Sequence, residues 1–200
     1  MRTLLALLFS LALASSSPLL AAPDDLTETF DSPDGRFALK VEAPDKEAEE
    51  AKLAIVEKAS GKVVGDLGTD YASILSRIKV VWSPDSKRVA YRGAGEKDWS
   101  TSVYVWDGSA FRHVPLPENL PSPDIKFRKS DEQGGVKNYG GGVEPVRWLK
   151  SGDLELVSEE TQMARESSRT YTGSITIIVR FDKEQRASIR SATKSKTRVE

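Results

Sequence analysis

His113 is the single histidine of the chain, and Asp107 lies close upstream, so the two could act as a general base. A multi-histidine metal cluster is excluded by that count, and the absence of cysteine excludes disulfides, thiol catalysis and thiolate metal sites. Asp34, Asp85 and Asp153 recur in similar polar turns, where repeated carboxylates could ring a cation. None has the dense Asp-x-Asp spacing of calcium loops, and an aspartate hydrogen-bonding the backbone two residues on is the plainer reading. Glu159-Glu160 and Asp24-Asp25 are adjacent pairs, which on a strand point to opposite faces. The glycine-rich stretch 134–142 lacks the Gly-Lys-Ser/Thr ending of a phosphate loop, and no Gly-x-Ser-x-Gly elbow occurs. These residues name no catalytic, metal or cofactor site. Two features suit recognition: Trp99 in the stretch 93–101, and Lys137, Asn138 and Tyr139 amid five glycines, the composition of an adaptable contact loop.

The elements that must carry these residues read as strands. Ser32-Pro33-Asp34-Gly35 and Ser83-Pro84-Asp85-Ser86 are tight turns in which proline presets φ and aspartate bonds the backbone. Phe37, Leu39 and Val41 alternate with Ala38, Lys40 and Glu42, the period of a half-buried strand. Asp107-Gly108 marks a hairpin, and Ile175 to Val179 is the most strongly β-forming stretch. Asp45 to Lys58 has helical propensity, but its spacing matches a strand in the next copy, so 43–51 reads as an acidic loop. Residues 115–145, with four prolines between Pro115 and Pro123, read as one long Pro/Gly-rich loop. The tail from Ala192 reads as frayed.

At the N-terminus Arg2 precedes an uncharged apolar run and then Ala21-Ala22. This is the pattern of a cleaved secretory signal over residues 1–22, and it predicts a secreted or periplasmic protein with no membrane span after cleavage. A net charge of −1 argues against electrostatic capture of nucleic acid.

Turn, strand and hairpin recur at a period of about 40–50 residues, the mark of stacked supersecondary units. The units are 30–68, 76–116 and 144–190, in one domain 23–191. Trp82-Ser83-Pro84-Asp85 with Val89-Ala90-Tyr91, followed by Val103-Tyr104-Val105-Trp106-Asp107-Gly108, resembles the WD40-like (PD40/TolB-type) repeats of secreted bacterial β-propellers. The first copy carries Asp31 in place of the tryptophan, and the third keeps Trp148 without Ser-Pro-Asp. The resemblance implies all-β, four-stranded antiparallel meanders in a partial or distorted propeller, with a β-sandwich as the alternative. Three blades are too few to close a ring, so two large apolar faces are expected to need cover. A compact monomer covers them in one way, and a homodimer closing six blades in another.

The function expected is that of a non-catalytic binding or scaffold protein acting on a protein or envelope component, without cofactors, with Trp99, Lys137, Asn138 and Tyr139 as its contact residues. The alternative is an inhibitor of an extracellular hydrolase such as lysozyme, inserting Tyr139 or Trp99 into a cleft. An enzyme using scattered carboxylates ranks last.

Overall fold

A computed structural model describes residues 26–200 except Lys46, Gly95 and Glu96. The expected signal segment 1–22 lies outside the described residues. The fold is all-β and largely antiparallel. Strands β1 (Leu26–Asp31), β2 (Phe37–Ala43), β3 (Glu50–Glu57) and β4 (Val63–Tyr71) form a four-stranded meander in sequence order. A 3-10 turn, Ala72–Ser76, whose Ile74 is fully buried, leads to the second meander. That meander comprises β5 (Lys79–Trp82), β6 (Arg88–Ala94), β7 (Asp98–Trp106) and β8 (Phe111–Val114). The third consists of β9 (Val136–Trp148), β10 (Leu154–Ala164) and β11 (Thr170–Phe181), with β12 (Ala187–Ala192) and β13 (Lys196–Val199) both pairing with β11. A short parallel contact between β7 and β9 merges the last two meanders into one nine-stranded sheet.

The turns explain why the meanders look alike. Ser32 Oγ donates to Asp34 Oδ1 at 2.7 Å and accepts the Phe37 N–H at 2.9 Å. Ser83 does the same with Asp85 and Arg88, at 2.6 and 2.9 Å. In the third unit Ser151 Oγ donates to Asp153 at 3.0 Å. Each turn then needs a left-handed residue, supplied by Gly35 (φ 69°), Ser86 (φ 58°) and Gly152 (φ 83°).

The units are clasped by one repeated bond. Trp82 Nε1 donates to the Phe30 carbonyl at 3.0 Å, and Trp148 Nε1 donates to the Val81 carbonyl at 3.1 Å. Phe30 and Val81 hold the same register position, paired with Leu39 and Ala90 respectively. Two cores result. One sets Phe37, Leu39, Leu53 and Ile55 against Val89, Tyr91 and Phe111; the other sets Ala90, Val103 and Val105 against Trp148, Leu154, Leu156 and Ile177. The middle sheet is therefore apolar on both faces, and each fully buried large side chain contributes about 1.5–3 kcal/mol.

The outer faces correct the expectation of open apolar surfaces. Thr29, Asp31 and Lys40 occupy the register positions that in the second unit are Val80, Trp82 and Tyr91. At the other end Arg147 and Glu155, ion-paired at 2.9 Å, stand where the second unit pairs Val81 with Ala90. Each end thus carries charged residues at positions that are apolar in the middle unit, beside Val56 at one end and half-buried Val157 and Ile178 at the other. Two further expectations are corrected. The loop placed over 115–145 ends at Gly135, because 136–148 is strand, and it contains a short helix α1, Lys129–Gln133. The tail placed as frayed from Ala192 is pinned, because β13 continues the pairing of β11 beyond β12.

Candidate binding site

The glycines at 140–142 are a close crossing of backbones. Gly141 and Gly142 pair in parallel with Asp98 and Trp99, and Gly141 N–H donates to the Lys97 carbonyl at 3.1 Å. A Cβ on Gly142 would lie 1.9 Å from the Trp99 carbonyl oxygen, and one on Gly140 (φ 138°) 2.3 Å from that of Lys97. Only hydrogen fits at either place, so the segment read as an adaptable loop is a rigid seam between the second and third units.

Trp99, expected in the loop 93–101 either as an exposed anchor or tucked back over the blade, is a half-buried residue of strand β7. The Arg92 guanidinium lies 4.5 Å from the centre of its ring. Arg92 in turn donates to Glu144 at 3.1 Å, and Lys79 holds the other Glu144 oxygen at 3.0 Å. Lys137, Asn138 and Tyr139 lie at the start of β9, just before the seam, all exposed, with Tyr139 60% accessible. Asn138 Oδ1 accepts the Gly140 N–H at 2.9 Å, which fixes the bend into the seam. One edge of Lys137–Asn138 pairs with β10, and the other has no ladder partner among the described residues. Next to it opens a cleft of about 240 Å³ lined by Asp98, Leu120, Pro123, Asn138, Glu159 and Glu160, rich in acceptors. The structure thus brings the four expected contact residues to one corner. Three are presented outward, and Trp99 is half-buried at the seam beside Gly142. Of the two residues expected to insert into an enzyme cleft in the inhibitor reading, Tyr139 stands exposed on strand β9 and Trp99 is half-buried on β7.

The other candidates have structural roles. Asp107 accepts from the Ser109 and Ala110 N–H groups at 2.8 Å each and from Arg112 at 2.9 Å. The Arg112 bond, followed by the turn amides, holds its carboxyl far below the usual range, so it is no proton acceptor for His113. His113 packs edge-on against Tyr104, with centroids 5.3 Å apart. Burial, then Tyr104, pushes the Tyr91 hydroxyl up to about 12, so it remains neutral. Asp34, Asp85 and Asp153 are each raised by burial but lowered more by their hydrogen bonds, and all three end below the ordinary carboxylate value. Asp34 and Asp85 accept the backbone N–H two residues on, at 3.0 and 3.2 Å, as the plainer reading had it, whereas Asp153 is held by the side chains of Ser151, Arg190 and Arg180.

Sequence reasoning missed the groups that anchor the long connection. Asp131 of α1, 4% exposed, accepts from the Tyr171 hydroxyl and from Arg169 at 3.0 Å, while Phe127 packs on the Tyr171 ring at 4.9 Å. Nothing in the spacing of Asp131, Arg169 and Tyr171 marks them, because they meet only through the fold. It missed Arg92 and Glu144 for the same reason. The glycine triplet was visible, but it points to a crossing only once the partner strand is known.

No helix among the described residues is long and apolar enough to cross a membrane. No family model matches the chain, and no curated protein matches it. Among solved structures, TolB from Acinetobacter baumannii aligns over 84% of this chain and 44% of its own length, at 9% identity and a TM-score of 0.36. The chain spans less than half of that protein.

Proposed function

We propose that this chain is a secreted or periplasmic, non-catalytic binding or scaffold protein, built as an open stack of three WD40-like blades. Its contact surface is the Lys137–Tyr139 edge. The observation that carries the reading is Tyr139, 60% exposed on a strand whose position is fixed by a glycine seam. A large amphipathic ring on a rigid strand anchors a partner at low entropic cost. The export reading rests on the residues of the leader alone. The polar end caps favour a monomer, so light scattering should return the mass of one chain.

Site-specific photocrosslinking in cells of the source organism tests the surface. A photoreactive residue at position 139 should give a discrete covalent adduct, and one at Glu42 on the outer cap of the first unit should give none. Equal adducts at both positions would remove the proposed edge.

A further inference from the structure

The core between the second and third units ends on a hydroxyl. Along β10 the side chains of Leu154, Leu156 and Ser158 are buried in turn, and Ser158 pairs with Val143 on one side and Ile175 on the other. Ile175 belongs to that core and Val143 packs against it, so an aliphatic residue is the expected third member of the row. Ser158 is 6% exposed, and its hydroxyl has no hydrogen-bond partner among the described residues. It is not sealed in as the Trp99 Nε1–H is. It opens instead on the cleft of about 240 Å³ that Leu120 and Pro123 wall on the other side. A hydroxyl held there costs free energy until something bonds to it.

The lining of the cleft sets the charge of that partner. Asp98, Glu159 and Glu160 stand around it, none in an ion pair among the described residues, and no cation lines it. Glu160 follows Ser158 on the same strand face, about 6–7 Å along. One Glu160 oxygen accepts from Gln162 Nε2, which leaves the other to a further donor. The carboxylates do not converge on a point where a metal ion could be held. Acceptors spread along a cleft suit a cation whose several N–H groups form a fixed fork. That is a guanidinium, and not the compact charge of an ammonium or a metal ion.

We propose that this cleft takes an arginine side chain of the partner polypeptide. The guanidinium donates to Ser158 Oγ and to the Glu160 carboxylate, with exposed Asp98 at the mouth, while the alkyl stem lies on Leu120 and Pro123. The proposal rests on reading the adjoining Lys137–Tyr139 edge as the contact surface, and it names the chemistry which that surface selects.

The test is an NMR titration of ¹⁵N-labelled protein with N-acetyl-arginine-amide. A single side chain should bind in the millimolar range, with shift changes confined to the amides of Asn138, 141–143 and 158–160. N-acetyl-lysine-amide should bind about threefold more weakly. N-acetyl-citrulline-amide, which keeps the shape without the charge, should bind at least about tenfold more weakly. Glu160→Gln should weaken the arginine probe by about tenfold and Ser158→Ala by about threefold. Because Ser158→Ala removes an unbonded hydroxyl from the core, its urea midpoint should not fall below that of the parent chain. The proposal is overturned by absence of these shifts at tens of millimolar probe, or by equal affinity for arginine and either other probe. Undiminished binding in both variants, or the same shifts with calcium chloride alone, would overturn it equally. A discrete adduct at position 139 without shifts in the cleft would keep the contact edge and discard the arginine.

Discussion

At the first junction Trp82 reaches the Phe30 carbonyl, Ser86 Oγ accepts the Asp34 N–H at 3.1 Å, and Phe111 fills the rim. At the second, Trp148 reaches the Val81 carbonyl in the same way, but Gly152 replaces the serine and Ala187 the phenylalanine. Arg88 partly makes good the loss, donating to the Gly152 carbonyl at 2.6 Å with its guanidinium 5.6 Å from the Trp148 ring. Openings of about 300 Å³ at the turns and about 560 Å³ at the rim remain. The second junction also carries the glycine seam and the exposed edge of β9. The repeated clasp sets how units stack, and the filler residues around it decide how completely a junction is sealed.

If the indole clasps are equivalent anchors, removing one should have the largest effect. Trp148→Ala should cost about 3–5 kcal/mol of stability by urea denaturation, through the lost ring and the orphaned Val81 carbonyl. A loss below about 1 kcal/mol would mean that the seam, not the clasp, holds the second junction. Gly142→Ala comes next: with its Cβ 1.9 Å from the Trp99 oxygen, β7 and β9 must part, at about 1–3 kcal/mol. Hydrogen exchange should quicken at Gly141 while the first unit is unchanged; uniform loss of protection would contradict a local seam.

An intermediate effect is expected in acid. Burial raises Asp153 but Arg190, Ser151 and Arg180 lower it more, so its folded pKa lies below the unfolded one. Its stabilisation is complete above about pH 4 and fades as the pH falls through the depressed value. Asp153→Asn should lower stability at pH 7 and flatten the decline below pH 4; an unchanged acid slope would assign that decline to the turns of the other units. The smallest effect is at the serine plug. Ser86→Ala should cost about 1 kcal/mol by the same denaturation assay, with no change at Gly152 amides.

Much of this architecture was legible because it is local. Ser32-Pro33-Asp34-Gly35 and Ser83-Pro84-Asp85-Ser86 specify their turns by side-chain bonds to the next few amides, and alternation at Phe37–Val41 gives the buried face. The strand at Glu50–Glu57 prevailed over the helical propensity of Glu47–Lys52 because its Leu53 and Ile55 are needed in the first core. What stayed hidden depends on distant partners. Gly140–Gly142 read as loop until Lys97 and Trp99 were placed beside them. Lys40 reads as an ordinary solvent-face residue of a half-buried strand; that it belongs to a stop follows only from comparing it with Tyr91 at the same register position. At the candidate site Tyr139 was singled out as a loop residue and lies on a strand, while Arg92 and Glu144, which meet beside Trp99 only through the fold, gave no signal.

The direction of the indole bonds has a consequence for how the molecule is made. Both Trp82 and Trp148 grip carbonyls that lie earlier in the chain. A polypeptide leaving a ribosome or a narrow translocation channel presents those acceptors first, so every new blade meets its latch already waiting, and assembly can keep pace with emergence.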